Sequence, residues 1–191
     1  MLWIILIIIV ILIAYIVSTY NGLVQSKMKV DNAWSQIDVQ LQRRFDLIPN
    51  FVETVKGYMN HEQETFEKIT SDKDAIVSNL DVMRANAKTV EDKAKLDNEL
   101  SASLKTIMAV SENYPELKAN TNFMQLSEEL SNTENKISFS RQFYNDTVTM
   151  YNTKLQVFPS NIIAGMFNFS ARDLFKSDDE ARKNVKVDFG K

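Results

Sequence analysis

The sequence predicts an all-α membrane protein in which one N-terminal transmembrane helix continues into an antiparallel, coiled-coil-like four-helix bundle. The chain has only 4 Gly and 3 Pro in 191 residues, about a third of average usage, whereas β-sandwiches and barrels need many turns. An uncharged apolar run opens the chain, and long stripes of apolar residues at helical spacing follow it. We therefore expect an anchor over residues 1–22, a bundle over residues 23–170 and a charged tail over residues 171–191.

The run from Leu2 to Val17 contains neither a charge nor a helix breaker. Extended to Tyr20, it would form a helix about 28 Å long, close to the ~30 Å hydrocarbon core of a bilayer. Trp3 and Tyr20 occupy the two ends, where aromatic side chains prefer the membrane interfaces. A cleaved signal peptide is the alternative, but no Lys or Arg precedes the run and no A-x-A-like site follows it. The lipid bilayer is therefore the expected partner of residues 2–20.

The charges near this segment predict its orientation. No basic side chain precedes it, whereas Lys27, Lys29, Arg43 and Arg44 follow, which favours a single-pass protein with its C-terminal domain in the cytoplasm. The net charge is -3 and no basic stripe stands out, so nucleic acid is not an expected partner. The chain has no Cys, which excludes disulfides, Cys-ligated zinc and a thiol nucleophile.

The first bundle helix is expected to continue directly from the anchor, because Gly22 is the only breaker between them. Its apolar stripe has heptad-like spacings of three and four residues, with one extra step between Leu41 and Phe45. Pro49 predicts a kink, and Gly57 and Asn60 predict the helix end. The stripe consists of Val30, Trp34, Ile37, Leu41, Phe45, Ile48, Val52, Val55 and Met59.

Three further stripes predict the other helices. The second runs from Phe66 to Met83, and the polar tract from Met83 to Asp92 then predicts a connection. The third consists of Leu96, Leu100, Leu104, Ile107 and Ser111, and it ends before Pro115. The fourth begins near Asn122, a candidate N-cap, and it ends at Pro159. The predicted core combines Trp34, Ile37, Leu41, Ile48 and Val52 with Phe123, Leu130, Ile137, Tyr144, Val148 and Tyr151.

No catalytic, cofactor-binding or metal site is predicted. His61 is the only histidine, and Glu62 and Glu64 beside it do not form a compact set of ligands on one helix face. The scattered glycines provide neither a nucleophile elbow nor a phosphate-binding loop.

Several polar side chains nevertheless lie within the apolar stripes: Arg43, Arg44, Asp46, Glu134, Arg141 and Asp146. Arg141 occupies a stripe position, and Glu134 lies seven residues before it. A buried Arg needs a carboxylate or carbonyl partner. These residues predict an internal ion-pair layer that fixes helix register, with a polar site or partner contact as the alternative.

Four segments carry a family resemblance. Residues 30–58, VDNAWSQIDVQLQRRFDLIPNFVETVKGY, and residues 140–169, SRQFYNDTVTMYNTKLQVFPSNIIAGMFNF, resemble the two signatures of the LemA family. The ending ARKNVKVDF and the sequence YNGLV directly after the apolar run are also similar to that family. The resemblance implies a bacterial inner-membrane protein with an all-helical bundle. It implies no catalytic motif and a poorly defined molecular role.

These features predict a non-enzymatic, membrane-anchored scaffold or adaptor that forms homo-oligomers. Its contact surface for a protein partner would include Ile162, Ile163, Met166, Phe167 and Phe169 of the apolar tail; the same tail could instead fold back onto the bundle. A membrane-anchored ligand sensor is the first alternative, and it requires a pocket between helices. A carboxylate-dependent hydrolase is the second, and it requires two or more inward carboxylates with perturbed pKa values.

Overall fold

A computed structural model describes residues 2–59, 89–112 and 114–175. Within these residues the chain is helical, without a β-strand, which confirms the predicted all-α class. The helices are α1 (Leu2–Met59), α2 (Val90–Ser111), α3 (Pro115–Lys118), α4 (Thr121–Gln156) and α5 (Ser160–Met166). The second predicted stripe, from Phe66 to Met83, lies outside the described residues.

Helix α1 is continuous from Leu2 to Met59. It passes through Gly22, which confirms that the apolar run and the first bundle helix form one element. It also contains Pro49, which is exposed, whereas the preceding Ile48 is buried. The predicted helix end at Asn60 lies outside the described residues, which stop at Met59.

The chain divides into two compact units. The first unit comprises residues 1–42 and 135–174, and the second comprises residues 43–134 and 175–191. In the first unit, α1 and α4 are antiparallel, because Ser26 contacts Lys154 and Trp34 contacts Tyr144.

The second unit has the same antiparallel pairing, since Arg44 contacts Glu134 and Phe51 stacks on Phe123 with ring centroids 5.2 Å apart. Its core combines side chains from α1, α2, α3 and α4: Ile48, Phe51, Val52, Val55, Leu96, Leu100, Leu104, Leu117, Phe123 and Leu130.

Local capping explains three differences from the sequence prediction. Helix α2 begins inside the predicted connection because Thr89 and Asp92 form a reciprocal capping box, with both backbone-to-side-chain distances 3.1 Å. Helix α4 is capped by Asn120 rather than Asn122, since the backbone N–H of Phe123 donates to Asn120 Oδ1 at 3.0 Å. The short helix α3 was not predicted; it begins with Pro115, whose missing N–H costs nothing at a first helical position.

The predicted core is confirmed, and only the extent of burial of Trp34 differs from the prediction. Every residue named for it is buried except Trp34, which is half-buried. The Trp34 ring contacts the ring of Tyr144 at a centroid distance of 5.4 Å. The 3.6-residue period therefore identified the packed faces of α1 and α4.

Candidate functional site

The apolar start of α1 has almost no protein neighbours. Ile4, Ile9 and Leu12 are 62, 50 and 58% exposed, although each would be a core residue in a water-soluble domain. Ile16, further along the helix, is partly buried and packs against the cluster of Leu23, Ile163 and Ala164. Of the helices that the structure describes, α1 alone is long and apolar enough to cross a membrane.

A buried ion-pair cluster lies in the second unit. Arg44 Nη1 donates to Asp97 Oδ1 at 2.9 Å and lies 2.5 Å from Glu134 Oε2. The Arg44 and Asp97 side chains are only 4 and 0% exposed, whereas the Glu134 side chain is 45% exposed. One guanidinium on α1 therefore joins a carboxylate on α2 to a carboxylate on α4.

Burial sets the electrostatics of this cluster. Desolvation lowers the pKa of the Arg44 guanidinium, and the negative charge of Glu134 opposes that change. The ordinary pKa of Arg lies so high that Arg44 stays charged at neutral pH. A charge buried this deeply is tolerated because two carboxylates surround it. The cluster can therefore hold three helices in register, and its charged groups are engaged with one another.

The predicted polar residues separate into buried and exposed positions. Arg44 is buried and pairs with the half-exposed Glu134, whereas Asp46 and Asp146 are exposed and Arg141 is half-buried. Arg43 pairs with Glu129 at 2.6 Å, with both side chains nearly half-exposed.

Asp97 was missed by the sequence analysis, because it lies one position after the stripe residue Leu96 and follows no apolar period. His61, Glu62 and Glu64 lie outside the described residues. Among the residues described, no cluster of three His, Asp or Glu side chains could hold a metal ion.

In the first unit, helix α4 binds an extended strap, which comprises residues 170–174. The Tyr144 hydroxyl donates to the carbonyl of Asp173 at 2.9 Å, and the Tyr151 hydroxyl donates to that of Ser170 at 3.1 Å. The Asn152 side chain exchanges two hydrogen bonds with the backbone of Arg172, at 2.8 and 2.9 Å. Irregular backbone is thus held by Tyr144 and, about two helical turns later, by the adjacent residues Tyr151 and Asn152.

The strap also connects α4 to α1, since the Arg172 guanidinium lies 3.1 Å from Asp31 Oδ1. Burial raises the pKa values of the Tyr144 and Tyr151 hydroxyls above their ordinary value, and the nearby Arg172 charge opposes the change. Both phenols therefore stay protonated and keep donating to the strap at neutral pH.

Helix α5 packs on α1. Ile163 and Ala164 form a buried cluster with Leu23, and Ile16, Leu155 and Phe169 pack against this cluster. The Tyr20 ring contacts the rings of Phe167 and Phe169, at centroid distances of 4.7 and 5.8 Å.

A Schellman motif ends α5. Asn168 has a φ of 55°, the Phe169 N–H donates to the Ala164 carbonyl at 2.9 Å, and the Asn168 N–H donates to that of Gly165 at 3.3 Å. This turn directs Phe169 back onto α5 and α1. The expectation of Ile163 as a partner-contact residue is therefore wrong, because its side chain is buried, while Ile162, Met166 and Phe167 remain exposed.

An open groove of about 510 Å³ also lies in the first unit. It is lined by Ser35, Gln36, Val39, Gln40, Asn135, Lys136, Phe139 and Ser140. Its lining is mainly uncharged, and Phe139 is 74% exposed.

Two comparisons place these features among known proteins. The sequence model of the LemA family matches residues 33–189, a range that contains the ion-pair cluster, the strap and α5. Protein LemA of Metamycoplasma hominis is 30% identical to this chain over 165 residues, which cover 86% of this chain and 72% of that protein.

Proposed function

The chain belongs to the LemA family, and from that premise we propose that it is a non-enzymatic helical scaffold held in a membrane by residues 2–20. The observation that carries the proposal is the contrast in burial along α1. Its first turns expose apolar side chains such as Ile9 and Leu12, and the same unbroken helix then carries the buried residues Leu23 and Val30.

Energetics favour a bilayer around the first turns. Removing apolar surface from water stabilises by about 25 cal/mol per Å², and each Leu, Ile or Val near the centre of a membrane helix contributes roughly 0.3–0.6 kcal/mol to insertion. The run from Leu2 to Val17 consists mostly of these residues. Lipid would cover the side chains that the described protein leaves exposed.

The same proposal includes a location and an orientation. Lys27 and Lys29 follow the apolar run, and residues 1–20 contain no Lys or Arg. By the positive-inside rule, the bundle lies in the cytoplasm. Together with the family resemblance, this gives a single-pass protein of a bacterial inner membrane.

A structural role for the buried charges supports a scaffold over a hydrolase. A hydrolase would need inward carboxylates free to react, but Glu134 lies 2.5 Å from Arg44 Nη1. A carboxylate that pairs with a buried guanidinium suits an ion-pair layer.

We include self-association in the proposal, because confinement to a membrane plane raises the effective concentration of the bundle. Light scattering of the full chain in mild detergent tests self-association by measuring the protein mass over a wide concentration range. The scaffold proposal expects homo-oligomers that dissociate on dilution. A monomer at every concentration would contradict self-association.

The second candidate function is a ligand sensor, and the groove beside Phe139 favours it. A thermal-shift screen of the full chain in detergent against small molecules tests this candidate. A compound that raises the melting temperature of the wild type but not of Phe139→Ala would support a sensor. Val39→Ala at the same groove is the matched second variant, because Val39 is also 62% exposed.

A further inference from the structure

Helix α5 lies beside the part of α1 where the apolar run ends. Its buried residues Ile163 and Ala164 pack with Leu23 and Ile16 of α1, and Phe167 contacts Tyr20. Ile16 and Leu23 are about 10 Å apart along a helix with a rise of 1.5 Å per residue. If residues 2–20 span a bilayer, as the proposed function states, α5 therefore lies at the depth of its interface.

The other side of α5 and the turn before it expose large apolar side chains. Phe158 is 79% exposed, Ile162 52%, Met166 65% and Phe167 48%. One side of α5 is thus buried against α1, while the exposed side chains next to it are not covered by any described residue. A contiguous group of exposed apolar side chains marks a surface that binds something apolar.

The charges around this surface indicate what covers it. Neither residues 1–30 nor residues 147–172 contain an Asp or Glu, although the whole chain has 25. The fold brings these two carboxylate-free segments together, because the Lys154 ammonium donates to Ser26 Oγ at 2.7 Å. Lys27 and Lys29 lie on the same segment of α1. An apolar surface bordered by cations and free of carboxylates is complementary to acyl chains and anionic headgroups.

We propose that the corner between α4 and α5 is a second membrane contact, in which α5 lies within the interfacial layer of the bilayer. Phe158, Ile162 and Met166 face the boundary of the acyl chains, and Lys154 and Lys27 lie at the level of the lipid phosphates. An interfacial helix typically buries its apolar face about 5–10 Å into this boundary. The contacts of α5 extend over a similar depth, because Leu23 and Ile16 are about 10 Å apart along α1. The contact would fix the bundle close to the membrane surface rather than at the end of a free stalk.

The absence of native Cys permits a direct test with single environment-sensitive labels. The full chain is reconstituted into vesicles of phosphatidylcholine and phosphatidylglycerol, with one NBD fluorophore at Ile162→Cys or Met166→Cys. Phe139→Cys is the matched control, because Phe139 is as exposed as these residues but lies on α4 outside the carboxylate-free segment. Ile9→Cys reports on the anchor. Each label is exposed separately to doxyl-labelled phospholipid and to aqueous iodide.

We expect the lipid quencher to reduce the emission of the labels at Ile162 and Met166, and iodide to leave most of their emission unchanged. The label at Phe139 should be quenched by iodide and not by the lipid quencher. Iodide quenching of both α5 labels, with lipid quenching at Ile9, would overturn the interfacial contact and leave the anchor intact. Loss of lipid quenching at Ile9 as well would overturn the proposed anchoring itself.

A label at Ile162 protected from both quenchers, in a preparation of dimeric mass, would assign the surface to a second copy and also overturn the proposal. Circular dichroism melts of the labelled variants identify any variant that fails to fold, and the two α5 positions provide independent readings.

Discussion

The two parts of α1 differ in their surroundings although they belong to one uninterrupted helix. Before Val17 the helix is apolar on every side and exposed, with Ile9 and Leu12 at 50 and 58%. After Gly22 it is apolar on one side only, and that side is buried, with Val30 at 2% and Ile37 at 0%. A helix that is apolar all round needs a surrounding apolar medium, whereas an amphipathic helix needs a protein partner.

Separate features of the sequence therefore determine whether α1 forms a helix and what surrounds that helix. Helix-forming residues and a shortage of breakers make α1 continuous, while the distribution of polar side chains decides whether lipid or protein covers it. Substitutions in the two parts should therefore affect different measurements, one reporting on bundle stability and the other on membrane retention.

The largest effect on stability is expected at Arg44, which belongs to the amphipathic part of α1. Arg44→Met removes the buried guanidinium that donates to Asp97, and breaking a buried ion pair should lower the free energy of unfolding by about 3–5 kcal/mol. Chemical denaturation of the full chain in detergent, followed by circular dichroism, measures the change. Arg43→Met is the matched control, and its exposed pair with Glu129 should contribute about 0–1 kcal/mol. Equal losses at the two positions would contradict a buried ion-pair layer.

The role of this cluster in helix register can be tested separately. A double variant, Arg44→Met with Asp97→Leu, removes both buried charges and should recover most of the stability lost by Arg44→Met alone. If the cluster fixes register, the double variant should still show broadened amide signals or a less cooperative transition. A sharp transition with unchanged spectra would mean that the apolar stripes fix the register by themselves.

Leucine truncation compares the two parts of α1 most directly. Leu41→Ala removes a side chain that is 2% exposed, and it should cost about 2–5 kcal/mol. Leu12→Ala changes a side chain that is 58% exposed, so the unfolding of the bundle should stay the same within error. The same denaturation measurement covers both variants. A comparable loss for Leu12→Ala would show that the apolar run packs against protein.

A smaller effect is expected at the strap. Tyr151→Phe removes one hydrogen bond to the Ser170 carbonyl and should cost about 0.5–1.5 kcal/mol. Phe143→Ala is a suitable control, because Phe143 is exposed on the same helix. Denaturation midpoints at neutral pH measure both changes, and a loss no larger for Tyr151→Phe than for the control would exclude a stabilising role of the hydroxyl.

The strap should also make stability depend on alkaline pH. Burial raises the pKa values of Tyr144 and Tyr151 in the folded chain, so the folded state retains protons that the unfolded state releases. Their contribution is complete below the unfolded tyrosine pKa of about 10 and is lost as the pH rises through the higher folded values. Melting temperatures should therefore fall above that pH, and less steeply in the Tyr144→Phe and Tyr151→Phe variants.

The sequence predicted the long elements because their signal repeats over many turns. The stripe through Ile37, Leu41 and Ile48 identified both the helix and its buried side, and the uncharged run before Tyr20 identified the exposed part. The half-buried Arg141 was also recognisable, since it occupies a position of the apolar stripe.

The missed features depend on contacts between distant residues or on single local hydrogen bonds. Helix α5 has 7 residues, too few for a period to emerge, and its buried side is defined by Leu23 far away in the sequence. The cap at Asn120 rather than Asn122 depends on one hydrogen bond to the Phe123 amide. Asp97 has no periodic signal at all, because only the fold brings it to Arg44.

The central claim is that residues 2–20 remain on the protein and hold it in the membrane. It is tested most directly by washing native membranes with alkaline carbonate and measuring the intact mass of the protein that stays in the pellet. The account predicts that the protein resists extraction and that its mass includes the whole apolar run. Release into the supernatant, or a mature chain that begins beyond Ser18, would contradict it.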